Sequence, residues 1–200
     1  MSEIPCTAQP ITACKDCTFA GRLMCRYESR DTIHFFMIFL PLLVTAIGGV
    51  IQSGYGWWLL GWLAYALFFF FGWEGRVLCS HCPYWAEPGR ILRCHANYGV
   101  IKLWKYRPGP MSRSEQAQFV VGGLLLAAYP LVFLILGHTY LLAVIALVSA
   151  ISFYYLLRRN ICTRCVNFSC PFNAVDQATR EAFFLRNPLI ARAWKEAQKQ

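Results

Sequence analysis

Charged side chains are what this 200-residue sequence has least of. Asp, Glu, Lys and Arg make up 14% of it, against roughly 25% in soluble chains, while hydrophobic residues make up 57%. The shortage excludes intrinsic disorder, which needs dense charge and few apolar side chains. Neither a collagen-like glycine period nor the charge-rich composition of a coiled coil is present. Acidic residues are the scarcest, ten against 19 basic, for a net charge of +9. With so few carboxylates, no acid–base pair stands out, and catalytic triads and phosphate-binding glycine loops are not evident.

The missing charge is concentrated. Residues 32–73 and residues 116–157 are two stretches of 42 without a single Asp, Glu, Lys or Arg. As helix, each would reach about 63 Å, enough for two crossings of a hydrocarbon core of about 30 Å. Each also has a break in its middle, at Gln52-Ser53-Gly54-Tyr55-Gly56 and at Gly137-His138-Thr139. The expected fold is therefore an all-α membrane protein with four transmembrane helices, about 33–51, 57–73, 119–137 and 140–157, arranged as two hairpins. The first span follows 32 polar residues, so it is expected to stay in the membrane rather than be cleaved as a leader. Tryptophans at both ends of the second span suit an interfacial belt, and Pro41 and Pro130 are tolerable kinks inside spans. With no Asp, Glu, Lys or Arg inside them, and His34 only at the start of the first, the spans do not read as a pump or ion-coupled transporter.

All 19 basic residues lie before the first span, between the second and third, and after the fourth. The hairpin turns have none. Four spans put those three segments on one side, and the positive-inside rule makes it the cytoplasmic side, with both termini there. The positive charge is then a topology and lipid-headgroup signal rather than a nucleic-acid footprint. The expected organisation is a cytoplasmic segment 1–32, hairpin 33–73, cytoplasmic segment 74–118, hairpin 119–157, and a cytoplasmic segment with an amphipathic tail at 158–200. Leu103 to Arg107 interleaves basic and aromatic residues for headgroups, and Ser112 suits a helix cap. Leu189 to Lys195 has the periodicity of a helix lying along the membrane surface.

All ten cysteines fall in the same three segments. In a reducing compartment that disfavours disulfides and points to metal ligation or redox chemistry. Cys6, Cys14, Cys17 and Cys25 form C-x7-C-x2-C-x7-C, four thiolates that complete one tetrahedral zinc or iron–sulfur site. Cys79, Cys82 and Cys94 form a second group, with His95 as the expected nitrogen donor. His81, between the paired cysteines, is expected to turn outward to solvent. Cys162, Cys165 and Cys170 form the third.

The third group ends Cys170-Pro171-Phe172-Asn173-Ala174-Val175. This resembles the Cys-Pro-x-x-Ala-Val/Ile close of bacterial ferredoxin motifs, and it follows a C-x2-C pair as there. The ferredoxin run is C-x2-C-x2-C-x3-C-P, whereas this chain has C-x2-C-x4-C-P and one cysteine fewer. The resemblance covers about 14 residues and implies an iron–sulfur cofactor. In outline the chain is also similar to membrane-anchored iron–sulfur proteins with four spans.

Arg76-x-x-Cys79-x-x-Cys82 and Arg159-x-x-Cys162-x-x-Cys165 each follow an uncharged stretch, so the chain reads as two parallel copies of one unit. The two three-cysteine groups would then meet beneath the bundle. The function expected first is iron–sulfur electron transfer to or from a membrane partner. Two alternatives stand beside it: a zinc-stapled scaffold that docks proteins, and a thiol-redox or heavy-metal handling protein with free, reactive C-x2-C pairs.

Overall fold

The computed structural model describes residues 4–14, 17, 18 and 20–199. Lys15, one of the basic residues counted before the first span, lies outside them. All named elements among the described residues are helical.

Four helical stretches are long and apolar enough to cross a membrane: Ser29–Gln52, Gly56–His81, Arg113–Leu136 and Tyr140–Cys162. The first is helix α1 (Ser29–Gln52). The second contains α2 (Leu59–Leu67), a π-helical turn (Phe68–Trp73) and α3 (Glu74–Val77). Helix α4 (Arg113–Leu136) is the third, and α5 (Tyr140–Leu157) with a π-helical turn (Arg158–Cys162) is the fourth. Two shorter helices, α6 (Gln177–Arg186) and α7 (Pro188–Ala197), follow.

Four boundaries extend well beyond the apolar windows. The first helix starts at Ser29, the second runs on to His81, the third starts at Arg113 rather than near 119, and the fourth runs on to Cys162. Hydropathy marks only the part that suits hydrocarbon, while the backbone hydrogen-bond ladder continues through charged residues at either end. The ladder of α4 begins where a capping box lets it: Ser112 accepts from the Glu115 N–H, and the Glu115 carboxylate accepts from the Ser112 N–H at 2.9 Å. The extension of the second helix carries Glu74 and Arg76 inside a continuous helical stretch.

Helix α1 packs against α5 and α4, and α2 packs against α4. Phe153 on α5 meets Phe35 and Phe39 on α1, and Phe69 stacks on Phe119 of α4. Close approach is made possible by glycine. A Cβ on Gly122 would collide with the Phe69 ring, and one on Gly49 would sit 2.5 Å from a Leu134 methyl. Between α2 and α4, polar side chains also reach backbone carbonyls: Trp62 Nε1 to Leu126 (2.9 Å), Tyr65 OH to Gly122 (3.0 Å) and Tyr129 OH to Trp58 (2.9 Å). These are satisfying partners for groups that lipid cannot solvate. Large apolar side chains such as Leu141 and Leu124 remain exposed along the outside of the helices, as a lipid-facing surface requires.

The main buried core lies outside these helices. It gathers Cys6, Leu23, Cys79, Cys82, Tyr84, Trp85, Leu92, Val100, Val166, Phe168, Phe183 and Ile190, with Cys17, Cys25, Cys94 and Trp194 packed against it. Helix α7 forms at the expected place, but its apolar face is turned inward. Ile190 is buried and Trp194 packs on Phe184, so protein rather than lipid covers that face. His81 also departs from expectation. It is buried, because the turn after α3 folds it against the Pro108–Pro110 loop, where Nδ1 lies 2.7 Å from the Gly109 carbonyl.

Candidate metal centre

Two of the three C-x2-C pairs close short backbone turns. The Cys17 N–H donates to the Cys14 carbonyl (3.3 Å), and the Cys82 N–H to that of Cys79 (2.9 Å). Such a turn carries both side chains to one side of the backbone. All ten cysteines are free thiols.

They sort into two groups. Cys6, Cys14 and Cys17 all act electrostatically on Cys25, and Cys14 and Cys17 act on Cys6. The four N-terminal cysteines are thus together. The other six make one connected group drawn from two segments. Cys79 lies within electrostatic reach of Cys94 and Cys170. Cys82 is similarly close to Cys94 and Cys165, and Cys165 to Cys170, Cys94 and Cys162. The segments after the second and fourth helices therefore meet, as the sequence spacing predicted. Among the described residues, no three His, Cys, Asp or Glu side chains already converge as they would around a metal ion.

Burial dominates the acidity of these thiols. It pushes Cys25 up to about 12, with the neighbouring thiols Cys6, Cys17 and Cys14 adding to the shift. It does the same for Cys170, also to about 12, and raises Cys82 and Cys165 well above the ordinary range. Opposing donors point at sulfur. In the six-thiol group the Asn97 side chain donates to Cys79 Sγ at 3.4 Å, and the rest are backbone N–H groups a short way along the chain: Tyr84 toward Cys82, His95, Ala96 and Asn97 toward Cys94, Asn167 toward Cys165, and Phe172 and Asn173 toward Cys170. Each favours the thiolate over the thiol.

The N-terminal group is supported by side chains instead. Arg26 donates to the carbonyls of Thr7 (2.9 Å), Cys6 and Pro10 (both 3.3 Å), and lies 3.5 Å from Cys14 Sγ. Asn187, from the turn between α6 and α7, accepts from the Cys6 N–H at 2.7 Å and donates to Cys6 Sγ at 3.3 Å. Met24 joins the two groups. Its N–H donates to the Arg164 carbonyl (2.8 Å), and its own carbonyl accepts from Tyr84 OH (2.6 Å). Tyr84 is 1% exposed and lies within reach of Cys82, Cys94, Cys165 and Cys25, so it stands between the groups.

His95 is buried, which lowers its pKa, and the charge acting on its imidazole is that of Asp31 at the start of α1. His95 directly follows Cys94, and its backbone N–H acts on the Cys94 thiol. The supporting residues Arg26, Tyr84, Asn97 and Asn187 were not singled out from the sequence. Arg26 and Asn97 lie one and three residues beyond cysteines and are findable as neighbours. Asn187 is 181 residues from Cys6 and gives no local signal. No protein-family model matches the chain, and neither does a curated protein or a solved structure.

Proposed function

We propose that this is an integral membrane protein carrying two thiolate-bound metal centres on one face, and that it transfers electrons through iron–sulfur chemistry. One centre uses Cys6, Cys14, Cys17 and Cys25. The other draws on Cys79, Cys82, Cys94, Cys162, Cys165 and Cys170. The observation that carries this reading is the set of backbone N–H groups aimed at the buried thiols of the second group. Such donors favour the thiolate over the thiol, and hydrogen bonds to sulfur tune cluster potentials. A cysteine Sγ moves by rotation about χ1 alone, so gathered thiols can close on a metal with the backbone in place. The positive-inside asymmetry supports a cytoplasmic location for this face and both termini, where a redox partner protein would dock.

The second group fits a pair of repeated units. Helices α1 and α4 start and end 84 residues apart. The aromatic contacts Phe35–Phe153 and Phe119–Phe69 exchange under the same displacement, as a twofold axis along the membrane normal would require. Both second helices of the units carry a π-helical turn, Phe68–Trp73 ending six residues before Cys79 and Arg158–Cys162 ending on Cys162 itself.

Zinc is the second reading, favoured by the N-terminal group. Cys6–Ala8 and Ile11–Cys14 are single 3-10 turns, and a metal would organise a segment with so little regular structure. Free, reactive C-x2-C pairs fit poorly, because burial raises the Cys82 and Cys165 thiols and a reactive cysteine needs the opposite shift. Anaerobic purification with metal analysis and absorption spectroscopy is the test. Brown protein with iron and sulfide, absorbing broadly near roughly 400 nm, is expected from thiolate–iron charge transfer. Colourless protein with stoichiometric zinc transfers the case to the scaffold, and less than one metal per chain overturns both.

A further inference from the structure

We infer that Glu74 is the oxygen donor of the six-thiol centre, which then holds its metal through mixed sulfur and oxygen ligands. This rests on the metal-binding reading above and names a further member of the same site. Glu74 opens α3, at the end of the second membrane-length stretch, and is 7% exposed. Its Oε2 is buried without a hydrogen-bond partner. Neither ion pair among the described residues involves it: Arg107 pairs with Glu115, and His81 approaches Glu115. The nearest arginine in sequence, Arg76, lies against the Trp73 and Trp104 rings at 6.0 and 5.6 Å.

Three thiols of the six-thiol group lie within electrostatic reach of Glu74. Its carboxyl group acts on Cys79, Cys94 and Cys170, thiols contributed by both halves of the chain. Asn97 connects them, bonding the Glu74 carboxyl group and donating to Cys79 Sγ at 3.4 Å. A buried carboxylate oxygen without a partner costs several kcal/mol, and placing it among thiols adds repulsion once they ionise. A divalent cation among these groups reverses both effects. The arrangement is not a requirement of the helix exit, because the residue five before Cys162, matching Glu74 five before Cys79, is Leu157. Thiolate with one carboxylate is a donor set that suits iron or zinc.

The test is an anaerobic cobalt(II) titration of the detergent-solubilised full chain, comparing wild type with Glu74→Gln and Glu74→Asp. Wild type should show thiolate-to-cobalt charge transfer from two classes of site. In Glu74→Gln, one class should weaken about tenfold or more and shift its ligand-field bands, with the other unchanged. Glu74→Asp, which keeps a carboxylate, should retain those bands with intermediate affinity. If Glu74→Gln titrates and absorbs as wild type does, the assignment of Glu74 is overturned while the metal reading stands. Wild type that takes up no thiolate-bound cobalt overturns the metal reading itself. Should Glu74→Gln fail to fold, cobalt-edge X-ray absorption of the wild type decides. A light-atom shell at roughly 2.0–2.2 Å beside sulfur at roughly 2.3 Å supports the proposal, and sulfur alone refutes it.

Discussion

In the six-thiol group the donors that meet sulfur are mostly backbone N–H groups a short way along the chain, with the Asn97 amide on Cys79 the one side chain named there, whereas in the N-terminal group they are side chains, the Asn187 amide on Cys6 and the Arg26 guanidinium near Cys14. Backbone donors are fixed once the turn forms. Side-chain donors must be held in place by something else, here the turn between α6 and α7 and three carbonyls of the same N-terminal segment. The difference teaches that the two groups should differ in rigidity and in how readily they give up a ligand. One is built into the exits of two membrane-length helices; the other is clipped onto it through Met24.

The largest effect should come from breaking the six-thiol group. Cys82→Ser combined with Cys165→Ser removes one cysteine from each half and replaces their sulfurs, that of Cys82 within the buried core, with more polar hydroxyls. Metal analysis should find the second centre lost and the N-terminal centre kept. Loss of all metal would show that the two groups depend on each other more than their separate supports imply.

Arg26→Met should do the converse. It keeps an apolar stem but removes the donors to Thr7, Cys6 and Pro10 and the contact with Cys14. A chelator added anaerobically should then strip the N-terminal metal about tenfold faster or more, as is usual when an outer partner of a ligand is lost. Release from the six-thiol centre should keep its wild-type rate. Even in wild type the N-terminal centre should empty first, and equal release rates would erase the contrast between backbone and side-chain support.

Tyr84→Phe probes the seam. It leaves the Met24 carbonyl without its 2.6 Å donor in a site where Tyr84 is 1% exposed. An unsatisfied buried carbonyl costs about 1–3 kcal/mol. Chemical denaturation in detergent should show that loss, with the N-terminal segment becoming sensitive to protease before the rest. Protection of both regions alike would mean that Met24 is not the joint between them.

What was legible in the sequence divides along the same line. The four long helices follow from two 42-residue uncharged stretches, because lipid solvation acts on composition averaged over a whole turn-rich segment. Their ends were misplaced because charge near Arg113 and Glu74 marks where hydrocarbon stops, not where hydrogen bonding stops. The contact between the segments that carry the second and third cysteine groups, made by the Asn167 amide on the Leu78 carbonyl and the Met111 N–H on the Ser169 hydroxyl, was expected from their matching place after two equal stretches. The burial of His81 was not, since it depends on a loop 28 residues away whose Gly109 carbonyl receives the ring. The inward face of α7 was hidden for a similar reason. An amphipathic pattern specifies that something apolar covers it, and only packing against Phe184 says that the cover is protein.

The smallest effect should come from the membrane side of the comparison, at the cap of α4. Ser112→Ala removes the hydroxyl that accepts from the Glu115 N–H and so opens half of the capping box. The cost expected of such a cap is about 1 kcal/mol. Glu115 keeps its 2.6 Å bond from Arg107, and Arg107 in turn holds Ser80 between the paired cysteines. Helix stability should therefore fall slightly in thermal unfolding while both metal centres load as in wild type. Weaker loading of the second centre alone would mean that the cap reaches the thiols through Glu115, Arg107 and Ser80, and that helix and centre fold as one unit. Unchanged loading would mean that the turn between Cys79 and Cys82 holds itself, as its own 2.9 Å backbone bond implies.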